Sequence, residues 1–129
     1  MPVVEVYTQE QVDDETRKSL SVILPKVVAN ALNCKEGGGL TEDEICVRHR
    51  RGDFNLDRGG PPIQIMVFAH DYAERKVNLD ERCEEIMTKL KEQLGELEPY
   101  LEYKAFIWII LAPTAFGNCV LFPSLLSPP

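Results

Sequence analysis

The sequence is poor in histidine, tryptophan and basic residues, and it has no long hydrophobic run. It holds two histidines and one tryptophan in 129 residues, and its 14 lysines and arginines are outnumbered by 21 acidic residues, which gives a net charge of −7. This acidic balance argues against nucleic-acid binding as the main task. The longest apolar stretch, Ala105–Ala112, is too short to span a bilayer, so no membrane segment is expected.

The cysteine pattern does not favour a metal site. Four cysteines occur, and no two of them are spaced as C-x-x-C. The opening segment, MPVVEVYTQEQVDD, lacks the basic and then apolar regions of a secretory signal. We therefore expect a cytoplasmic protein with reduced thiols and without a bound metal.

The first half of the chain predicts a strand, a helix and a second strand. Val3–Tyr7 is β-branched, and the helix that follows Asp13 and Asp14 keeps its apolar residues three and four apart. Pro25 lies inside this helix and is expected to kink or split it. The second strand is predicted at Ile45–Arg50. Alternation along that strand predicts one face with Cys46, Arg48 and Arg50, and another with Ile45, Val47 and His49.

The second half predicts the same order of elements. Ile63–Ala69 is nearly all apolar, which is typical of a strand covered on both faces. Asn78 resembles the start of a capping box, and Gly95 is a candidate end for the helix between them. Lys104–Leu111 is the fourth predicted strand. The halves are joined by a long polar loop at 51–62, which is a candidate functional loop.

Two strand-helix-strand units predict the fold class. Pro2-Val3 opens the first unit and Pro62-Ile63 the second, about sixty residues later. Right-handed crossovers make the strands of each unit parallel. We expect an α+β (α/β-like) domain over residues 1–118, with a four-stranded mixed sheet and two helices on one face. An apolar, proline-rich tail follows at 119–129, and the uncovered face of the sheet predicts an oligomer.

A short chain that begins Met-Pro, with two such units and arginines on its second strand, resembles the tautomerase superfamily. The similar families are 4-oxalocrotonate tautomerase, 5-carboxymethyl-2-hydroxymuconate isomerase and macrophage migration inhibitory factor. The resemblance implies that Met1 is removed, that Pro2 becomes a catalytic N-terminal proline, and that the protein is a homotrimer. It also implies that no cofactor is needed, since the chain's own terminus carries the proton.

The same resemblance suggests further site residues. Val47-Arg48-His49 stands where 4-oxalocrotonate tautomerase has a V-R-V segment, whose arginine binds a substrate carboxylate. The resemblance therefore implies that role for Arg48, and Arg50 or Arg51 is a candidate to share it. Lys35 lies where migration inhibitory factor has a pocket lysine. Phe106 and Trp108 fall at aromatic pocket positions of the last strand. They replace that family's polar tyrosine and asparagine, which leaves the general acid unassigned.

These residue types suit proton transfer on a small anionic keto or enol acid. A general base works best with a pKa near the working pH. An apolar pocket and nearby cations both lower the pKa of an amine, as Pro2 would require. The planar guanidinium of Arg48 would bind a carboxylate through two hydrogen bonds and stabilise the developing enolate.

Other interpretations remain open at this stage. The arginines also suit a solvated strand edge. Phe106 and Trp108 suit a core or a subunit interface, and His70 suits a structural hydrogen bond.

A second candidate function is an oligomeric binding or signalling module of the same fold, with weak or absent catalysis. A third function is hydration or dehalogenation of an unsaturated acid, for which a carboxylate would activate water. The candidate carboxylates are Asp53, Asp57 and Asp71.

Overall fold

A computed structural model describes residues 2–35, 39–53, 56–97 and 103–112. Within these ranges the elements are β1 (Val3–Thr8), α1 (Asp14–Leu32), a short 3-10 helix (Glu42–Glu44), β2 (Cys46–Arg51), β3 (Ile63–His70), α2 (Ala73–Val77), α3 (Leu79–Leu97) and β4 (Ala105–Ala112). Each strand lies within one residue of its predicted bounds. The proposed tail at 119–129 lies outside the described residues. No described helix has the length and apolar character that a membrane crossing requires.

The four strands form one mixed sheet in the order β2-β1-β3-β4. β1 is parallel to β2 and β3 is parallel to β4, as expected for two crossover units. The units meet through β1 and β3, which are antiparallel, with Val3 opposite Phe68 and Thr8 opposite Ile63. The long helices α1 and α3 contact each other and cover one face of this sheet. The predicted fold class is therefore confirmed.

The core lies between the helices and one face of the sheet. Alternate residues of β1 and β3 enter it, and their apolar side chains are at most 5% exposed. The intervening residues of β3 are only partly buried, so the expectation that this strand is covered on both faces is wrong for the single chain. The apolar side chains on the second face of β3 are not covered by any element among the described residues. The buried residues of β1 and β3 are Val4, Val6, Thr8, Ile63, Ile65, Val67 and Ala69.

Helix α1 begins as the sequence predicts but is not split. Asp13 caps it, because its carboxylate accepts a hydrogen bond from the backbone nitrogen of Thr16 at 2.8 Å. The helix runs through Pro25 to Leu32 without interruption. Its neighbour Leu24 is fully buried, so core packing on this face offsets the helix hydrogen bond that proline removes.

The second half departs from the sequence prediction at both ends of its helix. A short helix, α2, precedes α3 and was not predicted. Asn78 forms no capping box there; its side-chain oxygen instead accepts a hydrogen bond from Arg82 Nε at 2.7 Å. The helix also continues past Gly95. Open space surrounds this glycine, so it destabilises the helix only through the backbone entropy that a glycine loses on folding.

Two buried arginines of the second unit close the carboxyl end of α1. Arg75 is 2% exposed and donates from Nε to the Leu32 carbonyl at 3.0 Å. Arg82 is 9% exposed and donates from Nη1 to the carbonyls of Ala31 and Asn33, both at 2.9 Å. The last turn of α1 has no basic residue of its own. The cations that favour a helix carboxyl end are thus supplied from the other half of the chain.

Replacing Arg82 by methionine tests this contact. Arg82→Met leaves two carbonyls without their donor, so we expect the free energy of unfolding to fall by about 1–3 kcal/mol. Urea denaturation followed by circular dichroism measures the change. Lys91→Met, which changes an exposed side chain on the same helix, is the control and should stay within about 0.5 kcal/mol of the parent. Equal stability of both variants would contradict the assignment.

Candidate active site

The face of the sheet that the helices leave open carries most of the candidate functional residues. Cross-strand pairing arranges them in rows, because paired residues point to the same side. In the order β2, β1, β3, β4, the rows are Arg50-Tyr7-Gln64-Phe106, Arg48-Glu5-Met66-Trp108 and Cys46-Val3-Phe68-Ile110. We call this surface the open face.

The β4 side of the open face is apolar and accessible. Phe106 is 40% exposed, Trp108 42% and Ile110 39%. The rings of Phe106 and Trp108 meet edge to face with centroids 5.8 Å apart. Such a continuous group of large apolar side chains is typical of an interaction surface.

The β2 side of the same face is basic and concave. A pocket of about 420 Å³ is lined by Glu5, Tyr7, Arg48, Arg50, Arg58 and Gln64, among others. Arg48 and Arg50 form no hydrogen bond or ion pair with the described part of the chain. Their guanidinium groups therefore retain the donors with which a carboxylate is bound.

A hydrogen-bonded loop forms one wall of this pocket. The Tyr7 hydroxyl donates to the Asp57 carboxylate, which also accepts from the Asp53 backbone nitrogen at 2.7 Å. This bonding lowers the pKa of the Asp57 carboxyl and raises the pKa of the Tyr7 hydroxyl. A side chain at Gly52 would collide with the Tyr7 hydroxyl, so glycine permits the close approach. Asp57 is thus occupied as a hydrogen-bond acceptor.

Pro2 lies at the opposite end of β1 from this pocket. It is buried, and its carbonyl accepts a hydrogen bond from the backbone nitrogen of Cys46 at 3.1 Å. The carboxyl ends of α1 and β3 are both at this end, since Arg75 binds the carbonyls of Leu32 and His70 together. Lys35 follows α1 directly, so it is at the Pro2 end of the sheet, and its side chain is exposed.

The structure separates the predicted site residues into two groups. Pro2 and Lys35 lie at one end. Arg48 pairs with Glu5, about 10 Å along β1 from Pro2, and the row of Arg50 is about 16 Å away at 3.3 Å per residue. Phe106 and Trp108 occupy those same two rows. Within one chain, the proline and the arginines are not brought together.

Two further residues at the Pro2 end were not predicted as functional. The rings of His70 and Tyr72 lie with centroids 4.5 Å apart, and Arg75 Cζ lies 4.9 Å from the centroid of the Tyr72 ring. The ring of His70 forms no hydrogen bond with the described residues, so the structural hydrogen bond predicted for it is not found there. Alternation along β3 could have indicated that His70 lies on the open face, because His70 continues the series Gln64, Met66 and Phe68.

The other histidine lies on the helix-covered face of the sheet. His49 Nε2 is within hydrogen-bonding distance of the Ser21 hydroxyl, on α1. Partial burial, and secondarily the charge of Arg17, lower the pKa of His49. His49 thus contacts a helix at the edge of the sheet.

No group of three or more His, Cys, Asp or Glu side chains in the described ranges is arranged to hold a metal ion. The three cysteines described, Cys34, Cys46 and Cys83, are free thiols. Cys46 and Cys83 are half-buried. Burial, followed by Asp80 and Glu84, raises the pKa of the Cys83 thiol, so it is not an activated nucleophile.

Comparison with solved structures identifies the fold as that of the tautomerase superfamily. The chain superposes on the "F6 fused 4-OT wild type asymmetric trimer" with a TM-score of 0.63 and 15% identity, over 98% of this chain and 99% of that one. MIF2 of Leishmania major gives 0.54 and 17%, over 92% and 94%. A malonate semialdehyde decarboxylase gives 0.51 and 13%, over 90% and 91%.

These identities establish the fold and leave the activity to be argued from the site. No protein-family profile matches the sequence, and comparison with curated protein sequences gives no significant match. The resemblance inferred from the Met-Pro start and the two units is confirmed as a resemblance of fold.

The Tyr7–Asp57 contact yields a prediction about the pocket loop. Tyr7→Phe removes the donor that contributes most to the low pKa of the Asp57 carboxyl, so that pKa should rise toward the usual aspartate value of about 3.9. Carbon-detected NMR titration of the carboxyl groups measures it. Asp43 is an internal control, since its pKa is lowered by Thr41 and should not change. An unchanged Asp57 titration would show that the loop is not held by Tyr7.

Proposed function

We propose that this protein is a tautomerase-like isomerase that moves a proton in a small anionic keto or enol acid, with Pro2 as the general base. The observation that carries the proposal is the arrangement of the open face. Pro2 is buried at one end of the sheet, and on the open face Arg48 and Arg50, with accessible Phe106 and Trp108, lie toward the other end. A second copy that covers this face would supply the missing half of each site.

The surroundings of Pro2 suit a basic nitrogen. Val4 and Val67, on the neighbouring positions of β1 and β3, are fully buried. Once Met1 is removed, the amine would stand at the margin of an apolar core with Lys35 at the same end of the sheet. Both conditions disfavour the ammonium form and lower the pKa of an amine toward neutrality. Because the ring is rigid, the direction of the nitrogen lone pair is limited.

The arginines suit the anionic part of the substrate. Arg48 and Arg50 line a pocket at the far end of the open face, where their guanidinium groups form no hydrogen bond or ion pair with the residues that the structure describes. A substrate carboxylate bound there is too distant for the same chain's Pro2 to reach its reacting carbon. Between two chains, the pocket of one and the Pro2 end of the other can face a single substrate. The site is then complete only in the assembly.

A homotrimer is the assembly we propose. The apolar residues of β4 are each about 40% exposed in the single chain, and association removes them from water. A structurally similar protein, the fused 4-OT, is described as an asymmetric trimer. A ring of three uses one type of contact three times, so every chain contributes both halves of a site.

The first test is the intact mass of the purified protein, followed by a phenylpyruvate enol–keto assay. We expect loss of Met1, and a fall in kcat/KM of about 100-fold or more in Pro2→Ala, because a freely rotating primary amine replaces the ring-held secondary amine of the general base. Pro62→Ala, at the proline that opens the second unit, is the matched control and should remain close to the parent. Retention of Met1, or full activity in Pro2→Ala, would instead favour the oligomeric binding module.

The shared site has its own test. Pro2→Ala and Arg48→Gln should each be inactive alone, because each removes one half of every site. Unfolding them together and refolding an equal mixture should restore about a quarter of parental activity, the fraction of contacts in a random ring that join two intact halves. Arg50→Gln mixed with Arg48→Gln is the control and should restore none, since both changes lie in the same half. Absence of recovery in the first mixture would place both residues' function within one chain.

Hydration of an unsaturated acid is the second candidate, and one observation favours it. Asp71 follows β3 at the Pro2 end, and its Oδ1 is buried without a hydrogen-bond partner, while Oδ2 binds Lys76 at 3.1 Å. A carboxylate oxygen with unused acceptor capacity can orient a water molecule. Incubation with an unsaturated acid in ¹⁸O-water distinguishes the functions by product mass, because only hydration adds a labelled water molecule across the double bond.

A further inference from the structure

The antiparallel pairing of β1 with β3 places His70 at the end of the sheet where the Pro2 nitrogen lies. Val3 pairs with Phe68, so Ala69 lies level with Pro2, and His70 lies one residue further toward the start of the chain. A substrate carbon that approaches the Pro2 nitrogen therefore enters at the level of His70. Because β3 alternates, the His70 side chain points to the open face, where Phe68 also lies.

The position of the imidazole is fixed while its nitrogens remain available. The carbonyl of His70 accepts a hydrogen bond from Arg75 Nη1 at 2.9 Å, and the ring contacts Tyr72, over which Arg75 lies. These contacts determine where the backbone and the ring lie. The residue is exposed, and neither ring nitrogen is bonded to any side chain that the structure describes.

The aromatic residues of the last strand cannot supply the proton. Phe106 has no polar atom, and the indole of Trp108 donates a hydrogen bond without transferring its proton near neutral pH. Asp57 is occupied at the pocket end by Tyr7 and Asp53. Imidazole is the side chain best suited to transfer protons at this pH. The register thus places an imidazole, that of His70, at the Pro2 end of the open face.

We infer that His70 is the general acid that acts opposite Pro2 on the keto acid. In the enolisation direction, the Pro2 nitrogen takes a proton from the carbon next to the carbonyl. The electrons of that C–H bond form the C=C bond, and the carbonyl oxygen takes a proton from a ring nitrogen of His70. The prolyl ammonium then loses a proton to water, and the imidazole regains one from water. This step rests on the proposed function, because it needs Pro2 as the base.

Kinetics of two His70 variants test the step. In the phenylpyruvate assay we expect His70→Gln and His70→Ala to lower kcat by about 100-fold or more with little change in KM. Glutamine can donate a hydrogen bond but cannot transfer its proton, so it separates proton transfer from positioning. Added imidazole should raise the rate of His70→Ala and leave His70→Gln unchanged. Lys91→Gln, at an exposed position of α3, is the control and should keep parental kcat.

A binding measurement separates this inference from the proposed function. Cinnamate has the carbon skeleton of phenylpyruvate and cannot tautomerise. With two histidines in the chain, the imidazole Cε1–H resonances are assigned by comparing the parent with His70→Gln, and cinnamate should shift the His70 resonance saturably. Circular dichroism and sizing confirm that each variant is folded and assembled.

The outcomes are distinct. If Pro2→Ala is inactive while His70→Gln keeps the parental kcat, the acid assignment is overturned and the isomerase proposal stands. Full activity of Pro2→Ala overturns both. A His70 resonance that does not respond to millimolar cinnamate also overturns the assignment, whatever the kinetics of the proline variant.

Discussion

The antiparallel pairing of β1 with β3 determines where every candidate residue of this protein lies. Strands within each unit are parallel, so this single pairing reverses the second unit against the first. The start of β1 therefore meets the end of β3, and Pro2 is placed near His70. At the other end, the end of β2 and the start of β4 share a row, so Arg50 and Phe106 lie level. A shift of one residue in this register would put the apolar core residues of one unit on the opposite face of the sheet from those of the other unit.

The same reversal explains how the Pro2 end is held together. α1 ends there without a cation of its own, and the second unit brings Arg75 and Arg82 to its last carbonyls. Arg75 also binds the His70 carbonyl, so a single guanidinium joins the helix of one unit to a strand of the other. A buried charge is tolerated only when its donors are satisfied, and here backbone carbonyls satisfy them. The scaffold that supports the candidate acid is therefore part of the core.

Local signals predicted the elements because each depends on neighbouring residues. Asp13 caps α1 through its own side chain, and alternation assigned Arg48 and Arg50 to one face correctly. The errors have non-local causes. Nothing near Gly95 indicates that α3 continues past it, and burial around Pro25 that keeps α1 unbroken comes from distant strands.

The site was harder to predict than the fold for a related reason. Resemblance named Pro2, Lys35, Arg48, Arg50, Phe106 and Trp108 one at a time, but the distance between the groups depends on the pairing of β1 with β3. No sequence pattern specifies that strand order. His70 was assigned a structural role because its neighbours in sequence are ordinary. Only the pairing across the sheet brings it toward Pro2.

Stability and proposed catalysis share one surface in this protein. Apolar residues on β4 favour covering the open face, yet Arg48 and Arg50 on the same face need an anion or water once covered, because buried unpaired charges are costly. A partner chain that brings its Pro2 end against this face leaves room for an anionic substrate between the arginines and the proline. The substrate carboxylate would then complete the electrostatics of the interface. Phe106 and Trp108 would form its apolar wall, which leaves proton donation to a residue on another strand.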